Sequence, residues 1–508
     1  MTIQRAAVRG DLEKIKELLA ANAAPEDVRR ALLAAAIRRR TEAVQLLRAA
    51  NPPADIFTAA ATGDLPALKR FIEQNSADAN AHDKLIGRSV LCWAVRAGQK
   101  EAVEYLLGQK ADANDRAKVD RFQSGIMTPV ASEQTDKGEP IREVESPLWA
   151  ALDDAVPIDP AVVHLLLEHG ADANERGPSN TSPLARAASK GALSVIDDLV
   201  AHKARVKALE AGGTPLLVYA LASREVTACL LKHGVDANSK LPSGSPVLDA
   251  AVDTPETGAA DELIKGGAQV TFKAACVLGK TDDARAFIQR NPAIAVRDIN
   301  TRTHEGPIFL AARFNQGEIA RLLLSAGARV DAKNSDELQP VHVAATRGGN
   351  AALTVLLERG AKVDAESPLG RPINCAAAGN KAETVKLLLD RGAEVNAPSQ
   401  VSKQTPLVSA AAADALEAAA LLIARGADVN KAYAEFKQTP LHVAAYHASV
   451  KVVGLLLEKG ANGAAVDAQK KTPLDLARAG SSFERRKDAA RREEVVKLLT
   501  PPPGKATP

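Results

Sequence analysis

A proline opening a helix of small apolar residues returns along this chain at almost constant spacing. No other feature limits the fold as strongly. It stands at Pro147, Pro183, Pro215, Pro246, Pro307, Pro340, Pro372, Pro406, Pro440 and Pro473, with successive gaps of 31 to 36 residues and one of 61 that spans two units. The pattern is clearest in QTPLHVAAYHASVKVVGLLLEKG, residues 438–460. Thr439-Pro440 opens a helix where the missing proline N–H costs nothing, and Leu441, Val443, Ala444 and Ala445 form its apolar side. Val452, Val453, Leu455, Leu456 and Leu457 make a second, heavier stripe, which Gly460 ends with the left-handed geometry of a C-terminal cap. Such a unit has more apolar surface than it can bury alone, so neighbouring copies must share an interior.

Composition fits an array of this kind. Apolar residues make up 46% of the 508 but aromatics only 3%, so the interior is predicted to be built from Ala, Leu and Val. A net charge of +3 favours no charged partner. Cys92, Cys229, Cys276 and Cys375 lie far apart inside apolar helical runs, which points to a reducing cytosol rather than a disulfide framework. The N-terminal residues lack the apolar core of a signal peptide, and no run of 18 apolar residues occurs. The expectation is a soluble cytoplasmic protein, monomeric and without membrane insertion.

The end of each unit recurs as well: GADAN at 170–174, GVDAN at 234–238, GARVD at 327–331, GAKVD at 360–364, GAEVN at 392–396 and GADVN at 426–430, with SADAN at 76–80 and KADAN at 110–114. Together with TPLHVAA at 439–445 and QPVHVAA at 339–345, these segments make the chain resemble the ankyrin repeat family over about residues 2–499, in roughly 15 units. The resemblance implies an all-α solenoid, elongated and curved, with two antiparallel helices and a β-hairpin loop per repeat. It implies that His342 and His442 bridge to neighbouring units. Trp149, Phe309, Asn374 and Val408 stand at the same position elsewhere, and those units are expected to join by packing instead. Thr or Ser at 182, 214, 245, 405, 439 and 472 is expected to cap the first helix. Asn174, Asn238, Asn396 and Asn430 occupy the position at which some ankyrin repeats are hydroxylated.

Departures from the repeat mark the boundaries. RAAVRGDLEKIKELL, TAAATGDLPALKRFI (58–72) and KAACVLGKTDDARAFI (273–288) share an abbreviated form that often begins an array. The reading is an N-terminal array over 1–270, a second over 271–499 and a frayed tail at 500–508. The interval from Asn114 to Ser146 is 32 residues where the same interval is 8 from Asn174 to Ser182. An inserted loop at about 115–145 therefore projects from one hairpin, with Phe122, Ile126 and Met127 as exposed apolar groups.

Catalytic chemistry finds little support in these residues. Ala274 to Thr281 fits a loose phosphate-loop pattern, but it aligns with the abbreviated units, which places Gly279 in a turn between two helices. His164, Glu168 and His169 have the wrong spacing for a zinc pair on one face, and no Cys pair has metal spacing. His169 and His233 read as helix-terminal residues. Acidic doublets such as Asp282-Asp283 read as caps. The basic clusters at 38–40 and 485–492 lack an aromatic platform for nucleic acid. No enzyme activity, cofactor, metal or nucleic-acid partner is expected.

What remains is a surface for proteins. The resemblance implies a concave face of hairpins and first helices, with variable side chains just after the Ala pair and at hairpin tips. Those positions hold Arg313, Phe314, Thr346, Arg347, Asn380, Tyr446 and His447, with Phe436 at a tip; Phe122 and Met127 join them from the insertion. Phe314, Phe436 and Tyr446 carry most weight, because exposed aromatics make good interface anchors. The expected function is a scaffold or adaptor for partner proteins; the alternative is an inhibitory effector that occludes a partner enzyme through the 115–145 loop.

Overall fold

A computed structural model describes residues 2–500 apart from 85–86, 121–141, 154–156, 178–179, 255–256, 300–302, 402, 434–435 and 480–485. The chain divides into two compact units, Met1–Gln269 and Val270–Pro508. Each is an all-α solenoid of helical hairpins in which one repeat packs on the next.

The helices form where the sequence supplies both ends. Thr405 is extended and its hydroxyl accepts from the Val408 N–H at 3.4 Å, while Pro406 occupies the first turn. Ser182, Ser89, Ser146 and Thr271 cap first helices in the same way. Thr214 and Ser245 do not. There Pro215 and Pro246 are themselves extended, and the first helix shrinks to Leu216–Ala220, a 3-10 segment, and to Val247–Ala251. Gly279 ends Phe272–Leu278 at φ +70°, and Thr281–Arg290 follows; a helix rather than a strand precedes this glycine.

In the unit around Pro440, Leu441, Ala444, Val452, Val453 and Leu456 are all fully buried. Burying a leucine or valine side chain contributes about 1.5–3 kcal/mol, and here every partner surface comes from a neighbouring hairpin as well as from the unit itself. The helix Arg486–Leu499 packs on Val450–Glu458 and Pro473–Ala479. The β-hairpins expected of every repeat are reduced to isolated bridges such as Tyr433–Gln438. Among the described residues the one two-stranded ribbon is Ala117–Asp120 with Arg142–Glu145, antiparallel, pairing Ala117 with Glu145. It forms the base of the insertion.

Hydrogen-bonded rungs connect successive repeats. The last asparagine of each GADAN-like segment donates from Nδ2 to a carbonyl of the next repeat and accepts at Oδ1 from a backbone N–H there. Asn174 reaches Lys203 O at 3.0 Å and Arg205 N at 2.7 Å; Asn396 reaches Gly426 O and Asp428 N, both at 2.8 Å. Asn80, Asn114, Asn238 and Asn430 repeat the arrangement. Only a group that both donates and accepts can fill this place. Asp331 and Asp364 break the series. Asp331 turns to Arg329 at 3.1 Å. Asp364 accepts from the Glu394 N–H, but its Oδ1 is buried with no hydrogen-bond partner, and burial raises its pKa.

A second series uses the first helices. His342 accepts at Nδ1 from the Gln339 N–H (3.2 Å) and donates from Nε2 to Ala365 O of the next repeat (3.0 Å). His442 does the same with Thr439 and Lys471. Both imidazoles are fully buried, and burial lowers their pKa. Asn374 corrects an expectation: it does not merely pack. Its Oδ1 accepts from the Arg371 N–H at 3.3 Å and its Nδ2 donates to Gln404 O at 3.1 Å, reproducing both histidine bonds. Trp149, Phe309 and Val408 are buried and do join by packing. A Cβ at Gly177 would stand 2.0 Å from the Trp149 ring, so this glycine lets the next hairpin lie on the indole.

These rungs give two expectations. His342→Ala strands two buried backbone groups and should cost about 2–4 kcal/mol in urea unfolding, whereas His342→Asn should lose less than half of that. Because the folded state holds His342 and His442 below the ordinary value near 6.5, the unfolded chain binds more protons as pH falls. Stability is therefore complete above about 6.5 and declines below it, and His342→Asn should flatten that decline. An equal loss for Ala and Asn would refute the bridging role.

Asp364→Asn should raise stability by about 0.5–1.5 kcal/mol at pH 7 by donating to the carbonyl of Gly392, the counterpart of Gly426. The raised carboxyl pKa means that wild-type stability is lost as pH rises through the acidic range, so the gap should widen from pH 4 to pH 7. Arg371 keeps Glu366 at 2.8 Å in the variant. A variant less stable than wild type at pH 7 would refute this.

Candidate protein-binding surface

Within the second unit the first helices end at equivalent points, and the chain reverses through a left-handed residue: Asn315, Gly348, Asn380, Asp414 and Ala448, with φ between +53° and +78°. The pairs just before these residues are Arg313-Phe314, Thr346-Arg347, Ala378-Gly379, Ala412-Ala413 and Tyr446-His447. Their side chains leave the shared interior because the helix stops there.

The polar reversal residues are occupied. Asn315 Oδ1 accepts from the N–H groups of Ala351 and Ala352 at 2.8 and 3.1 Å, and Asp414 Oδ1 from Val452 N at 3.1 Å. Asn380 belongs to this set. Its Oδ1 accepts from Ala418 N at 3.0 Å and its Nδ2 donates to Glu417, so it caps the next repeat's second helix. Arg313 is also engaged: its Nη2 donates to both oxygens of buried Glu305 at 2.6 and 2.7 Å, leaving a half-buried, neutralised pair. Thr346 is exposed with its hydroxyl donating to His342 O, and Arg347 is exposed; Phe314 is half-buried. Tyr446 is 42% exposed and stands edge-on to His447, with ring centroids 5.2 Å apart. Crowding of the His447 ring and the nearby Arg492 both lower its pKa. Arg492 Nη2 donates to Tyr446 O at 3.3 Å, tying the last helix to this corner. Phe122 and Met127 lie outside the described residues.

At the hairpin tips Phe436, expected there from the sequence, is joined by two residues that the sequence reading passed over, Leu369 and Val401. Leu369, Val401 and Phe436, in three successive repeats, are 57%, 55% and 53% exposed. Gln400 N donates to Glu366 at 3.1 Å, joining the Leu369 and Val401 hairpins, and Ala468 N donates to Phe436 O at 2.9 Å, joining the Phe436 hairpin to the one that follows it. Lys403, Lys437 and Lys470 occupy left-handed positions at the tips, with φ +58°, +49° and +59°. Gly370 fills the corresponding place one repeat earlier at φ +97°. A non-glycine residue there costs about 1 kcal/mol, and the turn itself does not require a lysine. The signal for this set was positional: each apolar residue stands three to five residues before a first-helix proline.

The remaining reactive side chains are mostly enclosed. Cys276 and Cys375 are buried, and burial pushes their thiols to about 12 and about 11. Cys92 is buried too, whereas Cys229 is partly exposed.

The fold and the open tips define a solenoid of bonded helical hairpins. The family model described as Ankyrin repeats (3 copies) matches residues 56–123, 271–367 and 341–433, and the Ankyrin repeat model matches 436–471. These matches take in more than half of the chain, which belongs to the ankyrin repeat family. Among solved structures it is similar to the human ASB11 ankyrin repeat domain (26% identity over 46% of this chain and 100% of that one, TM-score 0.38). It is also similar to the ankyrin repeat domain of Bcl-3, a member of the IkappaB protein family (24% identity over 46% of this chain and 98% of that one, TM-score 0.36). Ankyrin repeats generally mediate protein–protein interactions. Among the described residues no helix is long and apolar enough to cross a membrane.

Thiol accessibility is directly measurable. In native protein one of the four cysteines should react with a disulfide reagent within minutes, with the other three following only on denaturation. Its rate should rise steeply with pH, because burial and Asp197 raise the Cys229 pKa. Loss of the fast phase in Cys229→Ala checks the assignment.

Proposed function

We propose that this protein is a non-enzymatic scaffold or adaptor that holds a partner protein on the hairpin tips and first-helix ends of its second unit. The carrying observation is the set Leu369, Val401 and Phe436, exposed at the hairpin tips of three successive repeats, with Lys403, Lys437 and Lys470 at left-handed tip positions. Exposed apolar groups held on a rigid frame bind with little ordering cost, and the lysines favour a partner segment that alternates apolar and carboxylate side chains. Tyr446, His447, Phe314, Thr346 and Arg347 extend the surface; Arg313 and Asn380 serve it only by fixing the frame. Four thiols without a disulfide fit a reducing cytosol.

The inhibitory alternative keeps one support: the ribbon at 117–120 and 142–145 gives the insertion a fixed base. Partner capture from the native source by the intact chain, with quantitative titration of each partner, separates the two. Phe436→Ala with Leu369→Ala should weaken a scaffold partner by about 30-fold or more, as removal of interface anchors does, and Tyr446→Ala should weaken it less. Deletion of 117–143 should leave that binding intact. Binding unchanged by the tip substitutions but abolished by the deletion would replace the scaffold reading with the inhibitory one.

A further inference from the structure

In the first unit three side chains of different chemistry meet outside the proposed docking surface. Cys229 lies in the helix Arg224–Lys232, and His233 caps that helix one turn later. The spacing is i, i+4, so both side chains emerge on one face. Asp197 comes from Leu193–Ala201 of the preceding repeat. Its Oδ1 lies 2.6 Å from His233 Nε2 and 3.7 Å from Cys229 Sγ, and the three ligand atoms all fall within 4.8 Å of one another. We infer that Asp197, Cys229 and His233 form a binding site for a borderline divalent cation of the zinc class, held between two consecutive repeats.

The geometry suits such an ion. Zinc bonds of about 2.3 Å to sulfur and 2.0–2.1 Å to nitrogen and oxygen place tetrahedral ligands about 3.3–3.5 Å apart. The oxygen–sulfur separation is already near that span, and the oxygen–nitrogen one needs only the Asp197–His233 hydrogen bond to open. One carboxylate, one thiolate and one imidazole select zinc or cobalt over calcium or magnesium, which take oxygen ligands. The fourth position faces solvent, since Asp197 is exposed and the other two are half-buried. His233 ends its helix, where the dipole favours a cation. On binding, the thiol gives its proton to solvent, and the ion replaces the hydrogen bond between carboxylate and imidazole. Among the described residues Lys232 is the cation that lowers the Cys229 pKa, against the larger effects of burial and Asp197. The sequence reading assigned no metal site: Cys229-x-x-x-His233 was visible in it, but Asp197 is brought in only by stacking.

Cobalt titration of the intact, reduced chain tests the site. One equivalent of Co2+ should give a near-ultraviolet thiolate-to-cobalt absorption that Zn2+ abolishes by displacement. Cys229→Ala should lack the band. Asp197→Asn keeps a hydrogen-bonding partner for His233 but removes the anionic ligand, and should weaken Zn2+ binding about tenfold or more. No sulfur band at stoichiometric cobalt, or the same band in Cys229→Ala, would overturn the site and leave an Asp197–His233 hydrogen bond between repeats.

Discussion

Everything in each unit depends on backbone groups at one repeat's edge being met by side chains of its neighbour. A helical hairpin of about 33 residues leaves both apolar faces and unpaired turn amides at its borders. Stacking removes the apolar faces from water, but it would also bury the amides at a cost of about 1–3 kcal/mol for each one left unmet. Asn174 and Asn396 resolve this with one amide group that donates upward to a carbonyl and accepts from an N–H two residues on. Asn315, Asn380 and Asp414 perform the same service at the turns between helices. Stacking is thereby confined to one register.

That register is what makes a surface. A bond from Gln400 N to Glu366 joins the Leu369 and Val401 hairpins, and with Phe436 in the following repeat these side chains stand exposed at successive tips. It also decides which polar residues are free to recognise anything. Arg313 and Asn380 stand among candidate contact residues in the sequence, yet Glu305, Glu417 and Ala418 take up their hydrogen bonds. Tyr446, at the position of Arg313, and Arg347, one place further along its own repeat, remain exposed. The asparagines of the GADAN-like segments are occupied likewise: the amide of Asn174 makes two bonds to the next repeat.

The histidine position shows how a repeat tolerates change. His342, Asn374 and His442 are chemically different, but each presents an acceptor to its own helix start and a donor to the next repeat. Trp149 solves the same problem by area, with Gly177 giving up its side chain so that backbone can approach. The sequence reading equated departure from histidine with loss of the bond; it considered residue names, whereas the bond asks for one donor and one acceptor at the right reach.

Spacing determined that this chain is an array of stacked units, and the resemblance of its recurring segments to ankyrin repeats implied that the array is all-α. Prolines every 31 to 36 residues, with paired apolar stripes between them, have no other way to bury their surface. The exposure of Phe436 and Tyr446 was legible too, because both fall where a helix or hairpin ends. Tertiary structure alone decided which polar side chains are occupied, that Thr214 and Ser245 leave their helices uncapped, and that Asp197 meets Cys229 and His233. Asp197 stands 32 and 36 positions from Cys229 and His233, and such contacts depend on the angle at which one hairpin lies on the next. Periodicity announces that neighbouring units touch; it does not contain the side-chain directions that decide what touches what.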